Sequence, residues 1–247
     1  MTPDEAAAWQ GVIDACWPAG RIRRAGPWLH RTTPGAGGRV NAISGAPGVD
    51  PESLADARAR DAAEVAARAD GRAPSFIVFP GQDALDAALA ARGYAVADAV
   101  NLYAAAAEAL AGDPLPHATA MPAWPPLAVM GEIWAAGGIG PARQAVMARA
   151  ARATALLGRV DDRAAGCAFV AAHGDVAMLS AVEVLPRFRR RGVARLMLRA
   201  AARWALDQGA ARVALVTTRD NLPANAAYAS QGMAIVGGYH YRRHPEP

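Results

Sequence analysis

The sequence predicts a mixed α/β protein made of two tandem domains, each with a central mixed β-sheet flanked by helices. Three observations lead to this prediction. A strand-helix-strand-helix-strand pattern closes both halves of the chain. The second half repeats the first at an offset of 139 residues. A proline-rich segment separates the two halves.

The proline-rich segment sets the predicted domain boundaries. Residues 111–129 contain five prolines, which exclude a continuous helix or a central strand. We therefore predict a first domain at residues 1–112, a linker at 113–125 that leads into an edge strand, and a second domain at 126–247.

The elements follow from hydrophobic periodicity and from turn residues. In the first half we predict helices at 3–17, 51–69 (with Asp50 as N-cap) and 84–92, two strands within 26–44 around a glycine-rich loop, and strands at 74–80 and 94–103. In the second half we predict helices at 138–151, 193–208 and 223–231, and strands at 154–159, 165–172, 176–184, 212–218 and 235–242. At the offset of 139, Gly232 falls on Gly93, and the order of elements matches.

Composition narrows the classes of function. The chain is 53% hydrophobic and 19% charged, so a packed core is expected. A net charge of +4 without a nucleic-acid-binding signature argues against specific nucleic-acid binding. Cys16 and Cys167 are far apart in sequence and are expected to be reduced thiols. Neither a signal peptide nor a membrane span is expected, so we predict a cytoplasmic location.

A cluster of arginines follows the strand predicted at 176–184. Residues 186–194 contain four arginines and Gly192, directly before a predicted helix. A helix N-terminus presents free N–H groups and partial positive charge, and a glycine there lets the backbone approach a ligand. Such a turn can hold a pyrophosphate, to which arginines add charge-assisted contacts. The alternative is a solvated basic turn.

The second half contains two motifs that are separated by one helix and one strand. They read Arg189-x-x-Gly192-x-Ala194 and Asn221-x-x-Ala224-x-x-x-Tyr228-x-x-x-Gly232-Met233. This pair resembles the signatures of the GNAT superfamily of acyl-CoA-dependent N-acyltransferases over about residues 126–243, with Met233 in place of the usual phenylalanine. The whole chain resembles tandem GNAT proteins in which one half is degenerate.

The resemblance implies an acetyl-CoA site at the arginine loop and the strand before it. The residues implied in cofactor binding are Val182, Val184, Arg189, Arg190, Arg191, Gly192, Val193, Ala194, Arg195, Asn221 and Tyr228. In the family this strand splays away from its neighbour, often at a bulge, and the pantetheine arm pairs with the exposed backbone. The N–H of Val184 is the group expected to stabilise the oxyanion.

Tyr228 and Glu183 are the predicted catalytic residues. The Tyr228 hydroxyl would protonate the coenzyme A sulfur, and the alternative is a core tyrosine packed on Val193. Glu183 would act as general base, directly or through water. The alternatives for Glu183 are a solvent-facing side chain or an ion pair with an arginine of the loop. His240 is a rival base.

The first half has lost these groups. At the offset of 139, Asp50 takes the place of Arg189, Glu52 lies in the same loop, and Leu89 replaces Tyr228. Carboxylates would repel a pyrophosphate. We expect a catalytically silent half that serves as a structural partner or as a wall of the acceptor site.

The predicted function is transfer of acetyl from acetyl-CoA directly to a primary amine, without a metal. The alternative is a non-catalytic acyl-CoA-binding regulatory module. The acceptor, a small molecule or a peptide, is not readable from the sequence. Either a monomer or a homodimer is compatible with the pattern. Arg199 and Arg203, on the helix after the loop, are expected on a solvated face.

Overall fold

The two halves of the chain contribute strands to one continuous mixed β-sheet. The computed structural model describes residues 1–244. The strands are β1 (Arg21–Ala25), β2 (Trp28–Thr32), β3 (Ile43–Gly45), β4 (Ser75–Val78), β5 (Ala95–Ala106), β6 (Ala120–Ala123), β7 (Ala153–Val160), β8 (Arg163–His173), β9 (Val176–Val184), β10 (Arg212–Thr218) and β11 (Ala234–Arg243). The helices are α1 (Pro3–Cys16), α2 (Ala57–Ala69), α3 (Asp83–Ala91), α4 (Ala107–Ala111), α5 (Ala128–Ala136), α6 (Pro141–Met147), α7 (Val193–Asp207) and α8 (Leu222–Ser230).

The sheet order is β1-β2-β3-β4-β11-β5-β10-β9-β8-β7-β6. The mixed α/β class is therefore confirmed, and β6, within the proline-rich segment, is the edge strand that was expected there. In each half, two parallel strands are joined by a helix: β3 and β4 by α2, and β9 and β10 by α7. Helices α3 and α8 begin and end at positions 139 residues apart, which confirms the repeat.

The last strand of each half lies in the sheet of the other half. Strand β5 pairs along β10, from Arg212 opposite Ala106 to Thr218 opposite Val100. Strand β11 pairs with β4, with Tyr241 opposite Ile77. The two exchanged strands also pair with each other at the centre of the sheet. The boundaries at residues 112 and 126 stay a prediction, but strand pairing crosses between the two predicted domains.

Helix α1 also crosses between the halves, since it packs on β8 and β9. One large apolar cluster on this face contains Trp9 of α1 together with Trp134 of α5 and Phe169 of β8. A second cluster lies under α7 on the opposite face, and a third lies within the first half. Cys16 and Cys167 are free and buried, and burial raises the pKa of each thiol, to about 11 and about 12. No helix within residues 1–244 is long and apolar enough to span a membrane.

Several expected elements differ in detail. The helix expected over 51–69 is a 3-10 turn at Pro51–Ala55 followed by α2, because Asp56 caps a new helix by accepting the N–H of Ala59 at 2.8 Å. Asp50 is an N-cap as predicted, but of the 3-10 turn. Strand β1 and helix α5 were not predicted, and the helix expected over 138–151 is the shorter α6.

Arg199 and Arg203 on α7 are half-buried and hydrogen-bonded, contrary to the expectation of a solvated face. The Arg199 guanidinium donates to the carbonyls of Ala111, at 3.3 Å, and Asp113. Arg203 donates to the carbonyl of Gly112 at 2.7 Å. These carbonyls end α4 and begin the linker, where free C=O groups attract cations. The two arginines therefore connect α7 to the end of the first half.

Candidate active site

Strands β9 and β10 separate midway along their length. They pair in parallel only from Val176 opposite Arg212 to Met178 opposite Ala214. Beyond this point each strand continues without pairing to the other. A bulge on β9 accompanies the separation: the register with β8 shifts there, and Ala181 has a φ of +50°. The Trp134 indole N–H donates to the Ala181 carbonyl at 2.8 Å and holds the bulge. The expected splay and bulge are both confirmed.

The separation leaves backbone groups of β9 without a strand partner on one side. The N–H of Leu185 donates to the Ala165 carbonyl on the β8 side, at 2.9 Å. Because hydrogen bonds of an antiparallel pair alternate, the N–H of Val184 points the other way, into the gap. The Val184 carbonyl accepts the Nε–H of Arg189 at 3.1 Å. Val182 lies between the bulge and Glu183, and its side chain packs toward α7.

The arginine loop ends at an uncapped helix. Phe188 is 5% exposed and anchors the loop in the core under α7. Gly192 is the N-cap of α7 with a φ of +76°, and no side chain caps this helix. The space beside Gly192 is open, so the glycine is required by the left-handed backbone rather than by a close contact. The free N–H groups at Val193, Ala194 and Arg195 give this helix end a positive potential.

The arginines of the loop have different partners. Arg189 turns back toward the strand end, with its Nη2 3.6 Å from a carboxylate oxygen of Glu183. Arg191 donates to Asp161 in the β7–β8 turn at 2.9 Å. Arg190 has a φ of +61° and is exposed, and Arg195 is exposed in the first turn of α7. Within residues 1–244, Arg190 and Arg195 make no ion pair, so these two are free to meet a phosphate.

Tyr228 lies on α8 and packs into the cluster that also contains Val193. Burial raises the pKa of its phenol to about 12, so the hydroxyl is protonated at neutral pH. Asn221 is the N-cap of α8, and its side-chain oxygen accepts the N–H of Ala224 at 3.2 Å. The structure thus gives Asn221 a role in holding α8, and its contact with a cofactor stays a prediction.

Glu183 projects to the face opposite Tyr228. A Cβ at Gly137 would collide with the Glu183 carboxylate, which therefore lies against the end of α5. The Glu183 side chain is 20% exposed and pairs with Arg189, as one of the two alternatives had it. The rival base, His240, lies in the other part of the sheet, where its Nε2 is 2.7 Å from Asp86 on α3. Only β5 lies between β11 and β10 in the sheet, so the choice between Glu183 and His240 as the base stays a prediction.

The acetyltransferase (GNAT) family model matches residues 127–233. The second half of the chain is therefore similar to GNAT acetyltransferases over these residues. The matched residues include the β9–β10 gap, the arginine loop, α7 and α8, and end at Met233. No curated protein matches the sequence.

Several solved structures of GNAT proteins share the fold of this chain over most of its length. A GCN5-related N-acetyltransferase from Kribbella flavida is 21% identical, with 98% of this chain and 96% of that chain covered and a TM-score of 0.75. A putative GNAT acetyltransferase from Novosphingobium aromaticivorans is 17% identical, with 98% and 97% covered and a TM-score of 0.57. A tandem GNAT protein from the clavulanic acid biosynthesis pathway is 19% identical, with 77% and 70% covered and a TM-score of 0.56. The first half thus takes part in a GNAT-type tandem fold.

Sequence reasoning missed one group beside the GNAT motifs, which we name the neutral cluster (Asn101, Tyr103 and Asn225). The Asn225 side-chain oxygen accepts from Asn101 at 2.9 Å and from the Tyr103 hydroxyl at 3.0 Å. Its amide group donates to the carbonyls of Thr218 and Asn221. The ring of Tyr103 packs on Tyr228 with centroids 6.0 Å apart. The signal available in sequence was the position of Asn225, one helical turn before Tyr228.

Proposed function

We propose that the protein is an acyl-CoA-dependent N-acyltransferase that transfers acetyl from acetyl-CoA directly to a primary amine. The observation that carries the proposal is the gap between β9 and β10 beside the uncapped N-terminus of α7. An open strand edge suits the amides of a pantetheine arm, and the helix end with Arg190 and Arg195 suits a pyrophosphate. The GNAT family assignment of this half supports the same conclusion.

The first half supports the proposal by contrast. Its helix α2 is capped by Asp56, so one of its terminal N–H groups is already satisfied. Asp50 and Glu52 add negative charge nearby. Leu89, in the place of Tyr228, is fully buried. The first half therefore has neither an anion site nor a proton donor at the matching positions, and we propose that it is catalytically silent.

Each proposed catalytic group of the second half has a role that its surroundings allow. Acetyl-CoA supplies the thioester. The N–H of Val184 faces the gap and is placed to donate to the negative oxygen that develops when the amine attacks. Tyr228, whose phenol is protonated at neutral pH, donates a proton to the departing sulfur. Glu183 accepts the proton of the amine, directly or through water, from its position beside Arg189.

Thiol release from acetyl-CoA over a panel of amines, in wild type and in Tyr228→Phe, tests the proposal. We expect turnover with at least one amine and a loss of about 100-fold in kcat in Tyr228→Phe. The ring is kept in this variant, so coenzyme A affinity should change little. Tight binding of acetyl-CoA with no turnover on any amine would contradict the proposal and would support a non-catalytic acyl-CoA-binding module.

A further inference from the structure

The neutral cluster has a counterpart in the first half. Asp86 on α3 is 139 positions before Asn225 and accepts hydrogen bonds from the other exchanged strand, β11. Its partners are Arg242, whose Nε and Nη2 lie at 2.7 and 2.9 Å, and His240 at 2.7 Å. These partners are in turn 139 positions after Tyr103 and Asn101. We name Asp86, His240 and Arg242 the ionic cluster. Both clusters join a helix of one half to the last strand of the other.

The two clusters differ in charge, because the neutral cluster has Asn225 where the ionic cluster has Asp86. Asn225 is the member that lies beside Tyr228. Asn225 is three positions before Tyr228 on α8, so the two side chains are neighbours on the helix. A carboxylate at position 225, as in the ionic cluster, would oppose loss of a proton from the phenol. The uncharged amide of Asn225 makes the same connection to the exchanged strand without this effect.

The orientation of Asn225 is fixed from two sides. Its Nδ2 donates to the Thr218 carbonyl at 2.9 Å and to the Asn221 carbonyl at 2.8 Å. Its oxygen must then face β5, where the Tyr103 hydroxyl donates to it. Tyr103 is only 3% exposed, so its ring has little freedom to move. The ring lies at 51° to that of Tyr228 and supports it from the first half.

We propose that Tyr103 of the first half is a positioning residue for the acetyltransferase site, acting through its ring contact with Tyr228 and held by Asn225. The inference rests on the proposed function. It makes the silent half a working part of the site, because β5 supplies the surface that sets the direction of the Tyr228 hydroxyl.

The test uses the full chain and compares Tyr103→Leu with Arg242→Leu, which removes the matching member of the ionic cluster. We expect Tyr103→Leu to lower kcat about tenfold with KM for acetyl-CoA within about twofold. Arg242→Leu should lower the unfolding temperature and leave kcat within about twofold. Equal losses of kcat in the two variants would overturn the inference, since they would reflect stability alone.

A double-mutant cycle tests whether Tyr103 acts through Tyr228. If it does, Tyr103→Leu should have little further effect on kcat in the Tyr228→Phe background. Multiplying losses would overturn the inference. If Tyr103→Leu does not fold, Tyr103→Phe keeps the ring and removes only the hydrogen bond to Asn225. A loss of about threefold in kcat is then expected, again absent in the Tyr228→Phe background, and an unchanged kcat would overturn the inference.

A measurement without turnover separates this inference from the proposed function. Nitration of Tyr228 by tetranitromethane, followed by peptide mass spectrometry, reports how accessible the phenol is, and a ring that is packed less tightly is more accessible. The rate should rise severalfold in Tyr103→Leu and stay unchanged in Arg242→Leu. An unchanged rate in Tyr103→Leu would overturn the inference even in an active enzyme. A wild type that releases no thiol would overturn only the proposed function.

Discussion

Gly192 shows how one residue can matter for conformation rather than for space. It has a φ of +76° at the start of α7, and nothing lies near the position of a Cβ. Gly209, after the other end of the same helix, has a φ of +74° and equally open surroundings. Any other residue would be strained at both positions, but only Gly192 lies beside the proposed pyrophosphate site.

This pair allows a matched substitution. Gly192→Ala and Gly209→Ala should each lower the free energy of unfolding by about 1–2 kcal/mol, because alanine is strained at a left-handed φ. Only Gly192→Ala should also raise the Kd for coenzyme A, since relief of the strain moves the free N–H groups of α7. Urea unfolding and calorimetric titration measure the two effects. Equal Kd values in both variants would show that this turn does not hold the ligand.

Strands and helices differ in how far their local sequence determines them. The bounds predicted for β9 and β10 are those observed, because both segments are rich in β-branched residues and end at turn residues. Strand β1 was missed because Arg21, Arg23 and Arg24 obscure its pattern, and α5 because it follows two prolines without a capping residue. The arginine loop and Tyr228 were found from their motifs. Tyr103 was not, because 122 positions separate it from Asn225.

The ionic cluster makes the attachment of β11 to α3 dependent on pH. Hydrogen bonding from Arg242 lowers the pKa of Asp86 below its usual value of 3.8. A carboxyl with a lowered folded-state pKa adds stability above its unfolded pKa, and this is lost as the pH falls through the folded value. Asp86→Asn should therefore cost about 1–2 kcal/mol at pH 7 and progressively less as the pH falls below about 4.

Urea unfolding at several pH values measures this dependence. Asp61→Asn is the control, because Asp61 pairs with Arg92 at 2.6 Å but its side chain is 56% exposed. An exposed pair should contribute less than about 1 kcal/mol. If Asp86→Asn lowers the free energy of unfolding equally at every pH, the charge of the Asp86 carboxylate is not what stabilises the ionic cluster.

At the scale of the molecule, the exchange of strands explains why the sequence of one half does not by itself predict the sheet in which its strands lie. The hydrophobic pattern of β5 is the same whether it pairs within its own half or with β10, so the sequence repeat predicts two sheets as readily as one. What decides the arrangement is pairing between residues far apart in the chain. Two further sets of contacts join the halves. Helix α1 packs on β8 and β9, and Arg199 and Arg203 donate to carbonyls at the end of α4.

Cutting the linker should therefore leave the protein whole. With a protease site inserted between residues 114 and 117, the two fragments should elute together and unfold in a single transition. Separation of the two fragments would expose the edge of β10 that pairs with β5, and it would remove Tyr103 from Tyr228. We expect these losses to destabilise the protein more than the cut in the linker does. Size-exclusion chromatography and calorimetry of the cut protein measure this, with uncut protein as the control. Two separate transitions, or a second half that keeps its activity alone, would mean that the exchanged strands do not unite the halves.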